Sequence, residues 1–173
     1  MIDPHHRLQT VSPWVLAHAG LVPPEAPVLD VAAGGGRHAR FFAARGHKVT
    51  AVDKDIAHLG GHTGIEAVRA DLEDGSPWPL AGRVFGAVVV TNYLHRPLFA
   101  TLLDALAPGG VLIYETFARG NEAYGKPDNP DFLLEPNELI ARVLSTCMVV
   151  AFEDTVVAVP KQAVVQRIAA IKA

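Results

Sequence analysis

Three acids and a run of glycines are the residues of this chain whose spacing could do chemistry. Asp30 lies in an apolar run, Val28-Leu-Asp-Val31, that leads into Ala32-Ala-Gly-Gly-Gly-Arg37, and Asp53 closes a second run, Val49-Thr-Ala-Val-Asp53, 19 residues beyond Gly34. Asp71 follows a third apolar run over 65–70. Strand, glycine turn, helix, strand and acid in that order make a nucleoside-binding βαβ unit. Glycines at 34 and 36 let a backbone approach a ligand. The first N–H groups of a helix over 36–45 can receive a carboxylate, and Asp53 can accept both hydroxyls of a ribose.

Two cofactor classes share this layout. Gly34-Gly-Gly-Arg-His-Ala39 matches the pattern G-x-G-x-x-A, which keeps an NAD(P)-dependent oxidoreductase open as an alternative. Asp30 separates the two, because a pyrophosphate would approach the chain just beyond it. An acid there suits a cofactor that has no phosphates and carries positive charge, such as the sulfonium and ammonium of S-adenosylmethionine.

The elements that must position these residues are legible as alternating runs. Apolar stretches at 27–32, 48–52, 65–70, 83–90, 110–117, 147–159 and 162–170 read as strands, and 36–45, 97–107 and 136–145 as helices. Ser12-Pro13 starts a short helix within 10–22. No helix fits between the last two apolar runs, so they pair as an antiparallel hairpin around Pro160-Lys161. The fold class is α/β: an open, mostly parallel seven-stranded sheet, helices on both faces, with one reversed strand in the C-terminal hairpin. The glycine-rich stretch 58–64 does not hold a full helix, and 118–131 is a long polar loop.

At 173 residues and 50% apolar, the chain fits one domain over 1–173. A formal charge of −3 with scattered Lys and Arg leaves no footprint for nucleic acid or an anionic membrane. Cys147 is the sole cysteine, which suits a reducing cytoplasm. The polar start Met1-Ile-Asp-Pro-His-His-Arg7 has neither the charge pattern of a signal peptide nor a membrane span. His58 and His62 are separated by two glycines and have no thiolate or carboxylate motif beside them, so no metal site is expected.

Val28-Leu-Asp-Val-Ala-Ala-Gly-Gly-Gly36 resembles the first motif of class I S-adenosylmethionine-dependent methyltransferases. Downstream, Ala51-Val-Asp53, Arg69-Ala-Asp-Leu72, Val88-Val-Val-Thr-Asn-Tyr-Leu-His-Arg-Pro97 and Leu106-Ala-Pro-Gly-Gly-Val-Leu-Ile113 resemble that family's later motifs in the same order. The resemblance covers nearly the whole chain. It implies a Rossmann-like fold and methyl transfer from S-adenosyl-L-methionine to a small-molecule acceptor, in a monomer or homodimer. A non-catalytic S-adenosylmethionine-binding module stays open beside it.

Residue by residue, the resemblance implies that Asp30, Ala32, Gly34, Gly36 and Arg37 hold the methionine moiety. It gives Asp53 to the ribose and Asp71 and Leu72 to adenine, and it adds Lys54, Asn92 and Tyr93 to the cofactor-binding residues. The family's turn begins with glycine where this chain has Ala32, which requires a negative φ at that alanine. His95 is the base candidate by its chemistry. Tyr114-Glu-Thr-Phe-Ala-Arg-Gly-Asn121 and Asn129-Pro-Asp-Phe-Leu-Leu-Glu-Pro136 resemble the tellurite-resistance group of small bacterial methyltransferases. That likeness makes Tyr114 a second catalytic candidate, places Glu115, Arg119 and Tyr124 at the acceptor with the loop 118–135, and lets Arg119 meet an anionic acceptor.

Overall fold

The computed structural model describes residues 10–173; the polar stretch over 1–7 and the start of the expected N-terminal segment 1–22 lie outside them. In chain order the elements are α1 (Pro13–His18), β1 (Val28–Val31), α2 (Arg37–Ala44), β2 (Val49–Asp53), β3 (Ile65–Arg69), β4 (Phe85–Thr91), α3 (Phe99–Asp104), β5 (Leu106–Phe117), α4 (Glu138–Val143), β6 (Cys147–Val157) and β7 (Ala163–Lys172). The strands form one sheet ordered β3-β2-β1-β4-β5-β7-β6. β7 runs antiparallel to both β5 and β6, as the terminal hairpin predicts, and the other pairs are parallel. The order reverses between β1 and β4, which opens a crevice at the carboxyl ends of those strands.

Burial explains the unalternating strands. β1 is buried along its whole length and β4 from Phe85 to Val90, because helices cover both faces. Trp14 and Val15 of α1 and Phe42 of α2 pack on Val28, Ala51, Val89 and Ile113. On the other face Phe99, Leu102, Leu139 and Val143 of α3 and α4 pack against Leu29, Val88, Val90 and Leu112. Ser12 caps α1 as expected, its Oγ accepting from the N–H groups of Trp14 and Val15.

Three boundaries differ from the sequence reading. β5 begins at Leu106 rather than 110 because Ala107-Pro-Gly-Gly is absorbed as a bulge, the register passing from Phe85↔Leu106 to Ala87↔Val111. A side chain at Gly110 would put its Cβ 2.7 Å from the Ala107 carbonyl oxygen. The helix expected over 97–107 is accordingly cut to a 3₁₀ turn at Arg96–Leu98 and the short α3. α4 is trimmed at its start by Pro136 and by Asn137, whose φ is 60°. No helix lies between β2 and β3 or between β3 and β4. The second of these connections instead sends Leu72, Trp78 and Leu80 into the core beside α3.

The loop 118–135 is stapled rather than draped. Asn121 is buried, its Nδ2 donating to the Pro127 carbonyl at 2.9 Å and its Oδ1 accepting from the Val164 N–H at 3.1 Å. Arg96 donates through Nε and Nη2 to the two oxygens of Glu138, each at 2.8 Å, and reaches the Asp131 and Leu133 carbonyls of the loop. Burial, the largest single influence, pushes the Glu138 carboxyl up. The Arg96 hydrogen bonds, the Glu135 N–H and Arg142 together outweigh burial and hold the group down to about 2.

That depression sets a pH window. The unfolded chain takes up a proton near the ordinary 4.5 while the folded carboxyl resists until about 2. The stability it confers is therefore present above pH 4.5 and lost as pH falls through that interval. Glu138→Gln is expected to cost about 2 kcal/mol in urea unfolding at pH 7. The gap to the parent protein should narrow steadily when the same measurement is made down to pH 3.

Candidate functional site

The turn after β1 is built from backbone bonds and one carboxylate. Ala33 N–H donates to the Val52 carbonyl at 3.0 Å, and Gly36 N–H to the Ala33 carbonyl at 2.9 Å. Gly34 N–H donates to Asp53 Oδ2 at 2.8 Å, while Asp53 Oδ1 accepts from Asp55 N–H at 2.9 Å. Asp53 thus ties the turn to the end of β2. An ionised carboxylate has about four lone-pair sites, so roughly half of its accepting capacity remains for a ligand.

The glycines divide by role. No heavy atom lies within 4 Å of where a Gly34 Cβ would stand, so the turn is open to an incoming group there. At Gly36 a Cβ would meet Leu59 Cδ2 at 2.7 Å and Arg40 Nη1 at 3.0 Å. Gly36 is therefore required by its φ of +80° and by the packing of Leu59 and Arg40 against it. Ala32 departs from expectation: its φ is +52°, in the left-handed region, not negative. The path of the turn is that of a glycine, and the alanine is held in it by the buried strand before it and the bonds after it.

Directly beneath the turn lies Asp30. It is buried, and its Oδ2 has no hydrogen-bond partner among the described residues. Burial pushes its carboxyl up to about 7, against a backbone hydrogen bond from Ala39 and the Arg37 charge, with Asp53 adding to the rise. Arg37 opens α2 and donates from Nη1 to the Thr10 carbonyl at 2.7 Å. Burial lowers its pKa, while the charges of Glu115 and Asp30 act the other way.

On the nucleoside side, Asp71 Oδ1 accepts from Glu73 N–H at 2.9 Å, and its carboxylate is exposed at the carboxyl end of β3. Leu72 is half-buried against the core, and Lys54 is exposed at the rim. Burial, then the charges of Glu73, Asp71 and Asp53, raises the pKa of the half-buried Tyr93 phenol well above its ordinary value. Those three acids therefore face Tyr93. His95 pairs through Nδ1 with Glu73 Oε1 at 3.6 Å, on this same side. Asn92 sits at φ +54°, its N–H donating to the Glu115 carbonyl at 2.9 Å.

The opposite side holds a polar chain that sequence reading missed. His38 is buried, and its Nε2 accepts from Ser12 N–H at 3.0 Å, so the ring proton is on Nδ1, 3.4 Å from Thr91 Oγ1. Burial, then the Arg37 charge, pushes His38 down to about 3, and it stays neutral. Ser12 Oγ donates to Glu115 Oε1 at 2.8 Å, and Arg167 Nη1 donates to Glu115 Oε2 at 3.3 Å. One signal was available: His38 shares a helical face with Ala39 and Phe42, so an imidazole there had to be buried and bonded.

One acceptor-side expectation is redrawn. Tyr114 is buried against Phe99, with ring centroids 5.3 Å apart, and donates its hydroxyl to the Tyr93 carbonyl at 2.7 Å. It is a core residue on the α3 face and presents no free hydroxyl. Arg119 lies 3.7 Å from Glu135 in an exposed pair, and Tyr124 is 43% exposed. Glu115 of that group is held on the crevice side by Ser12 and Arg167.

Two predictions rest on this geometry. Ala32→Gly should raise stability by about 1 kcal/mol in urea unfolding, since only the alanine is strained at positive φ. For Asp30, the folded group holds a proton between the ordinary 3.8 and about 7, so its ionisation lowers stability as pH rises through that interval. Asp30→Asn should therefore stabilise the protein at pH 8 by roughly 2–4 kcal/mol and have little effect at pH 4.

No family model and no curated protein matches the sequence. Solved structures match its fold. TehB from Haemophilus influenzae is similar at a TM-score of 0.80 and 17% identity, over 96% of this chain and 64% of that one. This chain thus spans less than two thirds of the TehB chain. An S-adenosylmethionine-dependent methyltransferase from Mesorhizobium loti gives 0.69 at 17% identity, over 91% and 96% of the two chains. The glycopeptide N-methyltransferase MtfA, solved with S-adenosyl-L-homocysteine, gives 0.61 at 20%, over 92% and 88%. The fold of this chain is that of the S-adenosylmethionine-dependent methyltransferases.

Proposed function

We propose that this chain is an S-adenosylmethionine-dependent methyltransferase acting on a small-molecule acceptor. The observation that carries the reading is the unpartnered Asp30 Oδ2, buried under an open glycine turn at the point where the strand order reverses. A buried carboxylate oxygen without a donor suits a cationic ligand and repels a pyrophosphate. That preference weighs against the NAD(P)-dependent alternative.

The residues present fit the cofactor. Asp30 faces its positive end, the open backbone at Gly34 and the first N–H groups of α2 receive its carboxylate, and Asp53 accepts the ribose diol. Asp71 accepts from the adenine amine, Tyr93 flanks the ring, and the His95–Glu73 pair closes that end. When bound, S-adenosylmethionine supplies a methyl group activated by its sulfonium. The protein's own task is alignment, for which Asn92 and Glu115 stand at the carboxyl ends of β4 and β5. Tyr114 is not part of that machinery, since its hydroxyl is committed to the Tyr93 carbonyl. Buried, unpaired Cys147 fits the cytoplasm expected for the chain.

Isothermal titration with S-adenosylhomocysteine, S-adenosylmethionine and NADH tests the reading. S-adenosylhomocysteine should bind, with affinity rising roughly tenfold from pH 6 to pH 8 as Asp30 ionises, and the rise should vanish in Asp30→Asn. Asp53→Ala should weaken binding at least tenfold. It should also loosen the turn by about 1–2 kcal/mol, because two backbone N–H groups lose their acceptor. Binding of NADH alone would overturn the proposal.

A further inference from the structure

We infer that Tyr114 is a positioning residue of the cofactor site: its buried hydroxyl fixes the turn at Asn92 and Tyr93 and, through it, the place of the Tyr93 ring. Tyr114 itself touches no ligand. The role of the Tyr93 ring beside adenine rests on the methyltransferase reading above; the docking of the turn does not.

β4 ends at Thr91, and the chain then turns at Asn92 with φ +54°, in the left-handed region. A non-glycine residue keeps such a conformation when its surroundings over-determine it. Two consecutive residues of β5 do so. The Glu115 carbonyl accepts from the Asn92 N–H at 2.9 Å, and the Tyr114 hydroxyl donates to the Tyr93 carbonyl at 2.7 Å. In strand register Tyr114 stands opposite Val90 and Glu115 opposite Thr91. The phenol therefore reaches forward past its own partner to a residue that has already left the sheet.

Packing accounts for the Tyr114 ring but not for its hydroxyl. The ring is buried and stacks on Phe99 with 9° between the planes, a place a phenylalanine would fill equally well. Burial holds the phenol well above its ordinary pKa, so the proton that makes the bond stays in place. At the other end, Tyr93 is half-buried against the same core as Val68, Ala70 and Leu72, at and just beyond the end of β3. Moving the Tyr93 carbonyl moves the ring of the same residue, on the side where Asp71 and Leu72 stand for adenine.

Tyr114→Phe keeps the stacked ring and removes the donor. It should weaken S-adenosylhomocysteine about fivefold in titration of the full chain, and 5′-methylthioadenosine by about the same factor, because the fault lies at the nucleoside end. The rise in S-adenosylhomocysteine affinity between pH 6 and pH 8, which belongs to Asp30, should persist. Tyr93→Ala should weaken binding about tenfold, and adding Tyr114→Phe to it should change affinity by less than about twofold. Val143→Ala opens a gap in the same core and should lower the thermal midpoint while keeping S-adenosylhomocysteine affinity within about twofold. Additive losses in the Tyr93–Tyr114 cycle, a vanished pH rise, or an equal loss in Val143→Ala at an equal fall in midpoint would overturn the positioning role. A reading without substitutions comes from the unmutated protein, which has three tyrosines. Its Tyr114 hydroxyl proton should exchange slowly and its nuclear magnetic resonance should shift when S-adenosylhomocysteine binds; a fast or unshifted proton would overturn the role as well. Failure of S-adenosylhomocysteine to bind the parent protein would instead remove the methyltransferase reading and the adenine role with it, while a slow hydroxyl proton would leave the docked turn standing.

Discussion

A single charge-assisted hydrogen bond, from the Gly34 N–H to the Asp53 carboxylate, joins the two halves of the crevice. Without it the only bond from the turn to β2 described above would be that of the Ala33 N–H to the Val52 carbonyl. With it, the end of β2 dictates where the open backbone lies. The bond also explains why Ala32 is tolerated at φ +52°: the buried strand before it and the tethered turn after it leave the alanine no other path. One acid therefore shapes the pocket and faces into it.

Around that turn the charges are sorted by side. Asp53, Asp71 and Glu73 face Tyr93 on one flank, while Arg37, Glu115 and Arg167 form the other, with Asp30 buried between them. A protein that buries a carboxylate with one oxygen unpartnered gives up stability for it, and such sacrifices concentrate at binding sites. His38 is the structural counterpart. It is buried and neutral, and it holds the cap of α1 against the first turn of α2.

Away from the crevice, arginine forks rather than helix length hold the fold. α3 and α4 have six residues each, too short to be stable alone. Glu138 gathers Arg96 and Arg142, and Arg96 continues to the Asp131 and Leu133 carbonyls. The long loop is thereby fixed to the sheet without secondary structure of its own. Asn121 and Gln166, both buried, tie the same loop to β7 in the same way, Asn121 through the Val164 N–H and Gln166 through the Glu135 carbonyl.

Apolar runs were enough to place all seven strands and the reversed terminal pair, which depend on local pattern and on burial of both faces, and Ser12 before Pro13 was enough to place the cap of α1. The positions of Asp30, Asp53 and Asp71 at or near strand ends followed from the same pattern. Tertiary structure alone decided what those strand ends meet. Tyr114 read as a reactive residue because it precedes a polar loop, but side-chain direction turns it into the core against Phe99. Ala32 takes a left-handed φ because the strands on either side leave no alternative. The Ser12–His38–Glu115–Arg167 chain joins residues as far as 103 apart in sequence, a distance at which no local signal operates. The sequence by itself determined which groups stand at the carboxyl edge of the sheet; only the packed fold decided which of them remain free to receive a ligand.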